Sequence, residues 1–188
     1  MMKELFDWNT VTSRLNTPLH KYHQYQGATN DCGPTSLAIV ANAIWEQTRL
    51  QGPRVAQELS APRFRVRPMP HPVVRRIPNW ATFPWGIVDY LREQEIPARW
   101  GLGGTEEKLR RNLAAEQITM VIIGELWSWR GRHYTGWAHV KTLYGFTPGR
   151  GYLFVDPAHR AEHGLSWQTA EEFAQQWRNL FHIYIEVG

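Results

Sequence analysis

The spacing of apolar positions divides the chain into a helix-like first half and a strand-like second half. Residues 32–46, CGPTSLAIVANAIWE, are apolar almost all the way round a helical wheel. That pattern predicts a central, buried helix, with Pro34 in the first turn, where its missing N–H costs nothing. A short helix is predicted at 53–59. Residues 83–95 predict a helix packing Ile87, Val88 and Leu91, and 105–117 another, with Glu106 and Glu107 well placed at its N-terminal dipole. After residue 117 the period changes. Ile118–Ile123, His139–Phe146, Tyr152–Asp156 and Phe181–Val187 are short, β-branched or aromatic, and bounded by Gly or Pro, as strands are. Thr169-Ala-Glu-Glu172 spells a capping box that opens a helix running to about Leu180. Helices first, then strands with one late helix, predict an α+β fold on an antiparallel sheet rather than a doubly wound βαβ array.

Two stretches break the pattern. Residues 1–25 are polar and aromatic and read as a lead-in. Residues 61–82, APRFRVRPMPHPVVRRIPNWAT, hold five Arg and five Pro, and no acidic residue occurs between Glu58 and Asp89. This stretch reads as an extended loop or insertion on one side of a single domain spanning 1–188. No internal repeat is visible. The net charge of +4 gives little reason to expect a nucleic-acid partner. The longest purely apolar run near the middle, Met120–Ile123, is far too short to span a bilayer, and MMKELFDWNT lacks the apolar core of a signal peptide. The expectation is a soluble, cytoplasmic protein with no membrane partner.

One cysteine, Cys32, sits where the central helix begins. A helix N-terminus offers unpaired N–H groups and partial positive charge, and both favour a thiolate nucleophile. Gly33 lets a substrate carbonyl approach the backbone, so that the Cys32 N–H points at a developing oxyanion. Gln26, six residues earlier, can supply a second donor from its side chain. A thiol nucleophile needs a base that is distant in sequence and close in space. His139 opens one strand-like run and Asp156 closes the next, so a hairpin between them would set the imidazole against a carboxylate that orients it. His133 and Gln24 are the rivals of His139 and Gln26.

The blocks Gln26-x5-Cys32-Gly33-Pro34, then His139 with Gly145 six residues on, then Tyr152-Leu-Phe-Val-Asp156-Pro157, resemble the C39-like cysteine peptidases of the papain-like clan. Trp167 and Glu171-Glu172-Phe173-x3-Trp177 are similar to that family's closing helix. The resemblance implies a papain-like fold in which the helix carrying Cys32 packs on an antiparallel sheet. It implies Cys32 as nucleophile, His139 as base, Asp156 as its orienter and Gln26 as oxyanion donor. It also implies a peptide or protein substrate and no cofactor. The family's best-known members are fused to transporters and cut leader peptides after a double glycine. No transporter segment stands in this sequence, so that substrate does not carry over.

Trp127, Trp129 and Trp137, close before His139, are candidates for an aromatic wall of the substrate cleft, as they are for ordinary packing. Asp156, His159 and His163 are spaced too loosely for a metal site, and no P-loop, dinucleotide fingerprint or G-x-S-x-G elbow is present. Two alternatives to hydrolysis stay open. One is acyl transfer by the same triad. The other is a non-catalytic module that uses the Arg-rich stretch to hold an anionic or nucleic-acid partner.

Overall fold

The computed structural model describes residues 10–61, 63–65, 71–129 and 132–188, without the side chains of 64–65, 71, 126–129, 132–135 and 162. Five helices and eleven strands follow in order: β1 (Ser13–Arg14), α1 (Cys32–Trp45), α2 (Gly52–Ser60), β2 (Arg63–Arg65), β3 (His71–Val73), β4 (Arg76–Ile77), β5 (Ala81–Thr82), α3 (Pro84–Glu93), β6 (Ala98–Gly101), α4 (Glu106–Ala114), β7 (Ile118–Trp129), β8 (Arg132–Thr147), β9 (Gly151–Val155), β10 (Leu165–Gln168), α5 (Ala170–Arg178) and β11 (Tyr184–Val187). The fold is α+β. A main sheet runs in the order β10-β9-β8-β7-β11-β6 with every pairing antiparallel, and β1 pairs with β8 at Ser13↔Phe146 and Arg14↔Gly145.

All five predicted helices form within a few residues of their expected ends. Thr105 Oγ1 caps α4 by accepting from Lys108 N at 3.1 Å. The predicted capping box closes at α5 between Thr169 and Glu172. The four predicted strands are present, but two are longer than expected. β7 and β8 form one extended hairpin that continues past a bulge between Glu125 and Leu126. Strands β1, β6 and β10 lie outside the predicted set. Each is four residues or fewer, too short to display a period.

α1 is the centre of one layer. Every residue from Gly33 to Ala43 is buried, and the helix packs on α2, α3, β5, β8 and the short 3-10 turn at Leu19–Tyr22. Polar groups within this apolar surround are paired. Ser36 Oγ donates to Val140 O at 3.1 Å, which ties the helix to the sheet. Asn42 accepts from the Arg49 and Leu50 N–H groups and donates to Leu50 O, which fixes the turn into α2. A second core lies around α5, where Tyr152, Phe154, Phe173 and Trp177 stack with centroids 4.8 to 6.3 Å apart.

The 61–82 stretch is not a plain loop. Its described residues form two ribbons, β2–β3 and β4–β5, and the second is docked by buried arginines. Arg75 reaches Glu93 at 3.0 Å and Glu58 O at 2.8 Å. Arg76 pairs with Asp31 and donates to Ser60 Oγ at 2.9 Å. Arg63 also pairs with Glu93. The arginines read as a solvated loop, which the binding-module alternative would turn to an anionic partner, are, among those whose side chains are described, engaged with internal partners. No helix among the described residues is long and apolar enough to cross a membrane.

Phe173 is fully buried at the centre of the aromatic stack. Phe173→Ala is expected to cost about 3–5 kcal/mol, read as a lower urea midpoint with an unchanged slope.

Candidate active site

Cys32 is the first residue of α1 and is only partly exposed. The register of the sheet brings its partners to it. β8 and β9 pair at Thr142↔Val155, so Asp156, the next residue, leaves the sheet beside the start of the His139 run. His139 Nε2 donates to Asp156 Oδ1 at 2.7 Å. The same oxygen accepts the Ala158 N–H at 2.9 Å. The ring is therefore held through Nε2, and Nδ1 is left free of Asp156.

Burial opposes a charge on His139, but hydrogen bonds and charge from Asp156, and then from Cys32, outweigh it and push the imidazole up to about 9. Burial likewise opposes ionisation of Asp156, yet His139, the Ala158 N–H and the charge of Lys141 hold it below the usual carboxylate range. Lys141 is itself pushed down to about 8 by burial, while Asp156 and Glu172 pull the other way. Its ammonium donates to Gln168 Oε1 at 2.6 Å and lies 4.2 Å from the Phe154 ring centroid. Lys141 was not singled out in the sequence. Its signal was its place two residues after His139 on one strand, which gives no hint of burial.

A cleft of about 210 Å³ contains the site. It is bordered by Cys32, Gln26 and Asn30 on one side, Trp80, Ala81 and Thr82 of the β4–β5 ribbon on another, and Ile122 with Trp137 to Val140 of the sheet. Gln26 is thus in the cleft. Its amide donates to Thr29 O at 2.8 Å, which leaves one amide hydrogen free. Gln26 Oε1 and Thr82 Oγ1 are buried without a hydrogen-bond partner among the described residues. Gln24, the rival, is bound between Leu50 O and the Gly52 N–H, both at 2.9 Å, and is structural.

Trp137 borders the cleft and is 40% exposed. The side chains of Trp127 and Trp129 lie outside the described residues, as does that of His133. Gly33 differs from expectation. It is buried, and a Cβ there would stand 2.8 Å from Thr82 Cβ, so its missing side chain makes room for the β5 strand rather than for a substrate. Trp80, 68% exposed at the turn of the ribbon, was missed. It lay in a stretch read as surface loop, and only the docking of that stretch on α1 makes it part of the cleft.

The lead-in also reaches the site. His23 Nε2 bonds Asp156 O at 3.1 Å, and Gln26 N donates to Pro157 O at 2.9 Å. Gly164, at φ +59°, leaves the space that the His23 ring fills: a Cβ would lie 2.1 Å from His23 Cδ2. Among the described residues, no group of three or more His, Cys, Asp and Glu is arranged to hold a metal ion.

No protein-family model matches the sequence, and no curated protein does. Solved structures do. A Bacillus anthracis protein described as a C39-like peptidase superposes with a TM-score of 0.66 at 15% identity, over 95% of this chain and 98% of that one. Procathepsin B S9 of Trypanosoma congolense superposes with a TM-score of 0.50 at 14% identity, over 90% of this chain and 72% of that one. The chain has the fold of the C39-like and papain-like peptidases.

The folded state favours protonated His139, so this stabilisation is complete below the unfolded value of 6.5 and is lost as pH rises through about 9. Urea midpoints of the wild type are expected to fall across that window, and His139→Gln should flatten the fall. Equal slopes in the two proteins would count against the His139–Asp156 coupling.

Proposed function

We propose that this chain, built on a peptidase fold, is a cysteine hydrolase acting on a peptide or amide bond. The observation that carries this reading is the 2.7 Å bond from His139 Nε2 to Asp156 Oδ1 in the cleft that Cys32 also borders. A thiol at a helix N-terminus beside an imidazole held protonated is set up as a thiolate–imidazolium pair.

Cys32 Sγ attacks the carbonyl carbon, and the C=O electron pair moves onto oxygen. The Cys32 N–H and the free amide hydrogen of Gln26 are the donors for that oxyanion. As the C–N bond breaks, His139 gives its proton to the leaving amine. Water then adds to the thioester and passes its proton back to His139. The C–S bond breaks, releasing the acid and regenerating the pair. Asp156 keeps the ring in the tautomer and orientation that both halves need.

Among the described residues, the cleft lining holds no charged side chain other than the imidazole and the thiol themselves. Trp80 and Trp137 suit an uncharged, bulky or aromatic group beside the scissile carbonyl. Of the five arginines on which the binding-module alternative draws, Arg63, Arg75 and Arg76 are paired within the chain.

Iodoacetamide alkylation followed by intact mass tests the nucleophile directly, since one cysteine is present. The wild type should react well below pH 8, and His139→Ala should react about tenfold or more slowly at pH 6.5. Cys32→Ala should abolish turnover of fluorogenic aromatic-acyl peptide amides while retaining the fold. A wild-type thiol that titrates near 8.5 would remove the hydrolase reading.

A further inference from the structure

Asp31 is the residue before the nucleophile and stands at the N-cap of α1, yet its side chain makes no capping bond to the helix. An Asp in this place ordinarily gives its carboxylate to the N–H of the second or third helical residue. Here the third is Pro34, which has no N–H, so the available target is Gly33. Instead the carboxylate turns away to the Arg76 guanidinium. Both side chains are withdrawn from solvent, at 6% exposure for Arg76 and 15% for Asp31, so the pair is only weakly screened. Arg76 is in turn fixed by Ser60 Oγ at 2.9 Å. The same ribbon holds the same loop twice more: Asn30 Nδ2 donates to Asn79 O at 2.6 Å, and Thr82 packs over Gly33.

We propose that Arg76 is a positioning residue for the nucleophile: it holds the Asp31 carboxylate off the first turn of α1 and cancels its charge next to Cys32. The proposal rests on the hydrolase reading and adds a component to it. A carboxylate adjoining a thiolate opposes the thiolate, and would oppose equally the negative oxygen that develops at the Cys32 N–H. Released from Arg76, Asp31 would fall back on the Gly33 N–H and place its charge against both. With Arg76 in place, the helix N-terminus keeps its open donors and its positive end for the substrate. Among the described residues, His139, backed by Asp156, borders the same cleft as Cys32 from the sheet, and the Arg76–Asp31 pair, which carries no net charge, ties the residue before Cys32 to the ribbon.

A double-variant cycle separates this role from plain structural support. Alkylation of Cys32 by iodoacetamide is followed from pH 5 to 10 in the wild type, Arg76→Met, Arg76→Lys, Asp31→Asn and the Arg76→Met/Asp31→Asn double variant, with circular dichroism as the check on folding. Arg76→Met leaves Asp31 uncompensated, and the reactivity midpoint should rise by about one pH unit, or about tenfold slower alkylation below it. Arg76→Lys should retain most of the wild-type profile. The double variant removes both charges, and its midpoint should return to near that of the wild type even if its stability is the lowest of the set. A wild-type midpoint well below 8 that Arg76→Met leaves in place would overturn the role of Arg76 alone. So would a double variant shifted as far as Arg76→Met. A wild-type midpoint near 8.5 would overturn the hydrolase reading and the Arg76 role together.

Discussion

A helix that is apolar on every side has to be covered on every side, and most of this architecture is the means by which α1 is covered. β8 lies beneath it, α2 and α3 flank it, and the 3-10 turn of the lead-in and the β5 strand close the remaining gaps. Burial runs from Gly33 to Ala43, so the helix is sealed along its middle and opens only at its two ends, at Cys32 and at Ile44–Trp45. Cys32 occupies the first of these openings. The hydrophobic constraint that sets the core thus also sets the place of the thiol, at the one end of the helix where N–H groups have no intrahelical partner.

The electrostatics of the site follow from the same enclosure. His139, Asp156 and Lys141 are all withdrawn from water, and each is offset by a partner rather than left alone. His139 and Asp156 gain mutually. Lys141 pays the larger desolvation penalty and is brought within a few pH units of neutrality, held by Gln168 and the face of Phe154. Such an arrangement tolerates little loosening, because removal of any one member leaves a buried charge without its counterpart.

Much of this was legible in the sequence, and the limits have physical causes. The all-round apolar run at 32–46 and the Thr169 capping box are local signals and gave helices nearly to the residue. The nearness of His139 and Asp156 could be inferred because each stands at an end of a run with its own period, and the sheet register sets them side by side; Cys32, Gln26 and His139 border one cleft. The β4–β5 ribbon was not legible. Arg75 and Arg76 read as surface charge because their partners, Glu93, Glu58 and Asp31, are from 17 to 45 positions away, and burial is a property of the assembled fold. Gly33 was read through the chemistry of its neighbour, whereas its reason is steric contact with Thr82. His23, read as part of a lead-in, is held to the backbone of Asp156 across 133 positions.

Those separations also order the life of the protein in time. The Cys32 thiol leaves the ribosome more than a hundred residues ahead of the His139 imidazole that borders the same cleft, and the β4–β5 ribbon comes between the two. At translation speeds of about 5–20 residues per second, several seconds or more pass between the synthesis of Cys32 and that of His139. Cys32 and His139 come to border one cleft only when the sheet that carries β8 packs on α1, a contact that no stretch of chain shorter than that separation can make.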